Sequence, residues 1–401
     1  MSKPIRLAGT GCCLMDYLYT QVDFAHPAFQ SATSRTAGDG GLRPGALVFA
    51  EDLERFIKQS FATWLGDLTA HRPPDKENLG GPAIVALIHV AQMLHANPAL
   101  IAFHAGYGND EAGKRMRATI ERVPVALDGY RQLDGPSPST VVLSDPNHND
   151  GKGERTFINT LGTAAAYTPD MLGADFFNAD VCLFGATALV PPLHDQLTAL
   201  LQRVKAHGGL NVVGTVYDFR NEQRHPGRPW PLGDSHASYP LIDLLVCDHE
   251  EALKMSGCDD AEAALHHFLD GGVGAVVITH GARGFYIGSR DGVFQAQPIQ
   301  TLPVCHAVDV DLERVGRQVG DTTGCGDNFL GGVLTSLVTQ LSADDSAGLD
   351  LIEACAWGAA SGGFACFYAG GTYAEPAPGA KRQQVEPYVR SYRKQIGLDN
   401  V

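Results

Sequence analysis

Between Gly320 and Gly332 the chain reads GDTTGCGDNFLGG and then runs into the apolar helical segment VLTSLVTQL. Gly324, Cys325 and Gly326 are small, so their backbone N–H groups can face an anion where that helix begins, and the aligned peptide dipoles favour negative charge there. Asp327 follows at once. A carboxylate in that place is expected to stay ionised and to take a proton from a substrate hydroxyl, while the amides hold charge on a transferring phosphoryl group. The pairing of a base with anion-binding backbone points to phosphoryl transfer onto an alcohol.

Other segments have the composition of binding elements. DHEEALKMSG, residues 248–257, follows the apolar run LIDLLVC, at the strand end where ligands of α/β proteins collect. Its acids Asp248 and Glu251 fit a helix cap as well as a cation-organising pair. VVITHGARGFYIG, residues 276–288, reads as a strand, a glycine turn and a second strand. Asp16 follows the first apolar run in LAGTGCCLMD, and Gly80 with Gly81 opens the helix GPAIVALIHVAQML. GYGNDEAGKRM, residues 106–116, has the form of a turn and a helix cap.

The elements that must position these residues alternate along the chain. Apolar runs at Ile5 to Gly9, Leu100 to His104, Val181 to Phe184, Leu210 to Val213, Leu244 to Val246 and Val276 to Thr279 are separated by helical patterns. The fold class is therefore α/β, a mainly parallel sheet covered by helices on both faces. Segments 17–79 and 128–163 break the alternation and are expected to emerge from one edge and pack together as a lid. The rest of the 401 residues forms a single domain from which they project. No role is assigned to residues 308–319.

Composition narrows the partners. A net charge of −15 without a basic stripe argues against nucleic acid. The start of the chain carries no apolar stretch of signal-peptide length, and no segment approaches about 18 apolar residues, so a soluble cytoplasmic protein is expected. Nine cysteines without paired CxxC spacing suit a reducing compartment.

DTTGCGD resembles the DTxGAGD signature of the ribokinase-like, or PfkB, carbohydrate kinases, a family that includes adenosine kinases, and the resemblance extends over nearly the whole chain. It implies a Rossmann-like domain with a small β-lid, ATP as donor, Asp327 as catalytic base and the amides of Gly324, Cys325 and Gly326 as anion hole. It also implies a K+ site near Asp321 and Thr323. By the same likeness, Asp248 and Glu251 stand for the NxxE element that organises Mg2+, with Asp in place of Asn. Thr279, Gly281 and Gly284 stand for the nucleotide-binding TxGxxG hairpin. Asp16, Gly80 and Gly81 stand for the acceptor-binding elements, and Thr140 and Arg155 for lid residues near the acceptor. The resemblance leaves room for a homodimer formed through the lid.

The family usually carries Asn five residues after the first glycine of the GG turn, where this chain has Val85. The acceptor therefore cannot be copied from ribokinase or adenosine kinase; Asn78, just before the turn, is the residue placed to supply a substitute amide. The expected activity is transfer of the ATP γ-phosphate to a hydroxyl of a small sugar or sugar derivative. A nucleoside kinase and a catalytically silent sugar or nucleotide sensor are the alternatives. A polar slot beside Asp16 favours the sugar, and an aromatic or apolar slot favours the nucleoside.

Overall fold

The computed structural model describes residues 4–36, 38–95, 100–148, 153–316, 322–343 and 348–398. Every apolar run singled out above forms a strand of one nine-stranded sheet. Its members are β1 (Arg6–Gly11), β5 (Leu100–Gly108), β6 (Tyr130–Leu133), β9 (Val181–Gly185), β10 (Leu210–Gly214), β11 (Leu244–Asp248), β12 (Ala275–Thr279), β13 (Phe285–Ser289) and β14 (Gln297–Leu302). The order is β14-β13-β12-β11-β10-β9-β1-β5-β6. Pairing is parallel from β6 through to β12, and β13 and β14 are added antiparallel.

Alternate residues of these strands feed separate cores. Leu183, Val212, Leu244 and Val277 point to the face covered by the helices Pro82–Met93, Cys325–Ala343 and Leu351–Phe364. Phe184, Val213, Leu245 and Val276 point to the face covered by Leu197–Ala206, His249–Ser256 and Ala261–Asp270. Burial on both sides is why the strands are uniformly apolar. The Cys325 helix lies between two others because it carries glycines: a Cβ on Gly331 would stand 2.7 Å from the Cβ of His89, and one on Gly332 only 2.4 Å from the Trp357 carbonyl.

A second, five-stranded sheet has the order β3-β8-β7-β2-β4. Its strands are β2 (Leu14–Tyr19), β3 (Leu47–Phe49), β4 (Lys76–Gly80), β7 (Ser139–Asp145) and β8 (Glu154–Thr160). Val141, Leu143 and Ile158 on one face pack with Phe29, Leu53 and Trp64 in a core of their own. EDLERFIKQSFATWL forms two helices, Ala50–Ile57 and Phe61–Thr69. The break comes where Lys58 turns left-handed at φ 57° and the Ser60 hydroxyl caps the second helix by accepting from the Thr63 N–H. Strand β6 lies within segment 128–163 but pairs with β5 in the large sheet. The described part of 308–319 belongs to the helix His306–Val315, and a further helix, Ala380–Gln395, closes the chain against it. Among the described residues no helix is long and apolar enough to cross a membrane.

The chain passes from one sheet to the other through Gly11, Cys12 and Cys13, and Gly11 has φ +139°. A Cβ there would lie 1.7 Å from the Gly185 carbonyl oxygen, so backbone meets backbone. Gly208 is also left-handed, at φ +80°, but has open space around it. Gly11→Ala should therefore cost about 3 kcal/mol, combining strain with overpacking, and Gly208→Ala about 1 kcal/mol. Urea unfolding midpoints of the two variants measure the difference, and equal losses would show that the junction relaxes freely.

Candidate active site

The Cys325 helix starts as its sequence suggests, directly after Gly324, whose φ is +74°. A Cβ on Gly324 would lie 2.4 Å from Gly371 Cα, so two backbone segments touch at this point. The Cys325 N–H makes a long 3.4 Å contact with the Thr322 carbonyl. Gly326 is exposed, with open space where a side chain would be. These first-turn amides form a cradle that suits an anion. The sulfur of Cys325 faces that of Cys366 at 3.4 Å.

Asp327 is half-buried and has no hydrogen-bond or ion-pair partner among the described residues. Loss of water pushes its carboxyl up from 3.8 to about 7. Desolvation thus opposes the ionisation that the helix start is expected to favour, and a carboxyl near 7 sits where a general base works best near neutral pH.

Asp16 lies on β2, opposite Asn78 of β4 on one side and Thr140 of β7 on the other. Thr140 is in turn opposite Asn159 of β8, and Asn159 opposite Phe49 of β3. Residues paired in register point to one face, so Asn78, Asp16, Thr140 and Asn159 form a polar rung on the face away from the small sheet's apolar core. Asn159 Nδ2 donates to the Thr140 hydroxyl at 3.0 Å. Asn78 Nδ2 is buried without a partner among the described residues, a donor that a ligand hydroxyl would satisfy.

Gly80 and Gly81 abut this rung. A Cβ on Gly80 would come 2.3 Å from Asp16 Oδ2, and Gly81, at φ +111°, runs against the Cys12 carbonyl. The Cys12 thiol, pushed up chiefly by burial, also feels the carboxylates of both Asp16 and Asp327, so the acids converge on one buried sulfur. Arg155 is not on the rung. It is exposed and pairs with Ser144, four residues along β7 from Thr140, or roughly 13 Å away at strand spacing.

On the other flank, Asp248 and Thr279 are register partners at the ends of β11 and β12, which brings two of the sequence motifs together. Asp248 and Glu251 form a capping box: the Glu251 N–H donates to Asp248 Oδ1 at 2.8 Å and the Asp248 N–H to Glu251 Oε2 at 3.1 Å. The Thr215 hydroxyl adds a 2.6 Å bond to the same Oε2. Burial, then the charge of Asp248, raises the Glu251 carboxyl to about 7, with a smaller contribution from Asp327. No group of three or more metal-ligating side chains occurs among the described residues. Gly281 and Gly284 bracket the turn after Thr279 at φ +54° and +102°, with open space at Gly281. The rings of His249 and His280 stack beside it at 3.9 Å. Thr323 lies in the turn before the Cys325 helix, whereas Asp321 lies outside the described residues.

Sequence reasoning missed the loop after the Leu351 helix. Gly370 presses on the Asn78 amide, Gly371 on Gly324 and Val85, and the Thr372 hydroxyl donates to the Leu79 carbonyl at 3.2 Å. It also missed Asn328, whose Nδ2 donates to the carbonyls of Gly324 at 2.9 Å and Gly371 at 2.8 Å. Only the polar type of Asn328, the first residue of an otherwise apolar stretch, hinted at it. GYGNDEAGKRM is a strand end and a helix capped by Asp110, which also holds the Ser137 backbone N–H at 2.8 Å.

This architecture is shared with solved structures of other proteins. The ribokinase of Thermotoga maritima superposes with a TM-score of 0.61 at 15% identity, over 96% of this chain and 99% of its own. An adenosine kinase from Sinorhizobium meliloti gives 0.66 at 17%, over 95% and 99%. A probable sugar kinase from Rhizobium etli gives 0.65 at 18%, over 99% and 100%. Identities this low show the fold alone. No curated protein matches the chain in sequence. The sequence pattern of the pfkB family carbohydrate kinases matches residues 75–378, most of the chain including the Asp327 helix and the Gly80–Gly81 turn, and the protein therefore belongs to that family.

Proposed function

We propose that the protein transfers the γ-phosphate of ATP to a hydroxyl of a small sugar or sugar derivative. The observation that carries this reading is the polar rung Asn78, Asp16, Thr140, Asn159. It offers a carboxylate, two amides and a hydroxyl to an acceptor rich in hydroxyls. A nucleoside base calls for an apolar or aromatic slot beside Asp16. Phe49, the aromatic residue of that rung, stands three strands from Asp16, about 14 Å at the usual strand spacing.

In this reading Asp16 accepts hydrogen bonds from the acceptor, and Gly80 and Gly81 let the backbone come close to it. Asp327 takes the proton of the attacking hydroxyl, and the N–H groups of Gly324, Cys325 and Gly326 face the transferring phosphate. Thr279, Gly281 and Gly284 flank the nucleotide. Magnesium bound with the nucleotide neutralises phosphate charge, and Asp248, the exposed acid of the capping box, would meet it with Glu251 behind. Thr323 with Asp321 would hold K+, and two copies would pair through the small sheet. Arg155, on the same sheet but about 13 Å along it from Thr140, would meet only an acceptor that extends along the strands.

ATP consumption across pentoses, hexoses, keto-sugar acids and nucleosides tests the reading: a sugar is the expected acceptor, and adenosine as the best acceptor would overturn it. Asp327→Asn should lower kcat by roughly 10² to 10⁴. Because the native carboxyl is raised, the folded protein binds more protons than the unfolded chain between about pH 4 and 7, and stability falls as pH rises through that window. Asp327→Asn should therefore melt higher than the native protein at pH 8, and a lower melting temperature would contradict a desolvated base.

The limb of kcat/KM should drop about tenfold per pH unit below about 7, as the free enzyme's base takes up its proton. Glu251 is raised to about 7 as well, so Glu251→Gln separates the two acids. That variant should keep the limb and raise the half-saturating magnesium concentration by about threefold or more. Disappearance of the limb in Glu251→Gln would reassign it away from Asp327.

A further inference from the structure

Beneath the Asp327 turn lies a buried polar chain with no counterpart in the motifs. Asn328 is 0% exposed, and its Nδ2 binds the Gly324 and Gly371 carbonyls. Its Oδ1 receives Nδ1 of His89 at 3.0 Å, the hydroxyl of Tyr368 at 3.1 Å and Nζ of Lys381 at 3.0 Å. Each partner comes from a different part of the fold: His89 from the Pro82 helix, Tyr368 from the loop before Gly371, and Lys381 from the start of the Ala380 helix.

Lys381 is 1% exposed. Burying an amine is costly unless it is paired or shifts towards neutrality. Its surroundings supply the Asn328 oxygen, the ring faces of Tyr368 and Tyr373 at 6.0 and 5.9 Å, and Glu375, which accepts the Lys381 backbone N–H at 2.9 Å. Burial pulls its amine down to about 7, with the charge of Glu375 opposing that shift, and either protonation state still has N–H bonds to donate. Burial, and then the charge of Lys381, drives His89 well below its ordinary range, so it is neutral and gives its one N–H to Asn328.

The Gly324 carbonyl accepts twice from Asn328, from the backbone N–H at 2.8 Å and from Nδ2 at 2.9 Å. A peptide unit is planar, so fixing that oxygen fixes the Cys325 N–H on the same plane. We propose that Asn328 and Lys381 are positioning residues for phosphoryl transfer: a buried chain from the C-terminal helix sets the direction in which the anion-hole N–H of Cys325 points. The proposal rests on the kinase reading given above. It explains why a buried lysine, a costly feature in an apolar core, is kept against the residue that follows the base.

Lys381→Met tests it, because methionine fills similar volume without the amine. The melting temperature should stay level or rise, as replacing a buried charge by an apolar group of like size often permits. The kcat should fall by about tenfold or more, with the KM for ATP within about twofold of native, because the loss is confined to charge stabilisation in the transition state. Amide hydrogen exchange at Asn328, whose N–H is held by the Gly324 carbonyl, should quicken by about tenfold while the remaining helices keep their protection. Lys381→Ala should regain turnover when methylammonium is added, since a small amine can occupy the vacated volume and donate to Asn328. Native kcat in Lys381→Met, or no rescue of Lys381→Ala by methylammonium, would overturn the positioning role. Unchanged exchange at Asn328 would overturn the clamp itself. Absence of ATP consumption by the native protein with every acceptor would fail the kinase reading, and the exchange measurement would then decide the clamp independently.

Discussion

Gly11 lies so close to the Gly185 carbonyl that no side chain fits between them, and this contact makes β1 end where it does. The next residues, Cys12 and Cys13, are buried, and the strand that follows belongs to a different sheet. Gly81 presses against the carbonyl of Cys12, so the Pro82 helix begins from the same point as β2. The acceptor side of the site is thus placed by backbone against backbone. Asp16 and the glycine turn have little freedom to move apart without opening the junction between the sheets, and that rigidity favours a pre-organised reaction geometry.

A second backbone contact, Gly324 against Gly371, places the other half. The loop that carries Gly371 also touches the acceptor strand, through Gly370 at Asn78 and Thr372 at Leu79. Both halves of the site are therefore fastened to one loop. The electrostatics follow from this closeness: Asp327 and Glu251 are both raised to about 7, largely by loss of water, and the charge of Asp327 adds to the shift of Glu251. Two carboxyls poised at neutrality would each be stabilised as carboxylates by an incoming cation, and phosphates arriving alone would oppose that. Cation and nucleotide binding thus favour the ionised base, a linkage that follows from burial without any conformational change.

How much of this was legible in the sequence depended on distance along the chain. The strands and their order of appearance were readable because continuous apolar runs need no partner to identify them. The Asp327 turn was readable because the glycines, the base and the apolar helix are consecutive. The capping box at Asp248 and Glu251 was visible as an acidic helix start, but its bond from Thr215 comes from the next strand over and has no local mark. The polar rung was hidden, since Asp16 and Asn159 come together only through register across three strands of mixed direction. Lys381 was hidden for the same reason: it stands among Arg382 and other polar residues of an amphipathic helix, and its burial is decided by Asn328, 53 residues earlier. Arg155 shows the converse, a lid residue expected near the acceptor whose place four residues along β7 from Thr140 is set by register and has no local mark.

Val85 exposes a consequence of this architecture for acceptor choice. It is 1% exposed, and its methyl groups pack at 3.1 Å from where a Gly371 side chain would begin. An amide in its place would be pressed against the Gly371 backbone. The apolar residue therefore suits the clamp, and the amides of the site stand instead on the small sheet, at Asn78 and Asn159. An amide on the Pro82 helix would be fixed to the large sheet, whatever the small sheet did. Asn78 on β4 is held against the Gly370 loop and Asn159 on β8 donates to the Thr140 hydroxyl, so in the proposed reading both amides meet the acceptor from the small sheet in a fixed arrangement, and an acceptor unable to satisfy Asn78 leaves a buried donor unpaired.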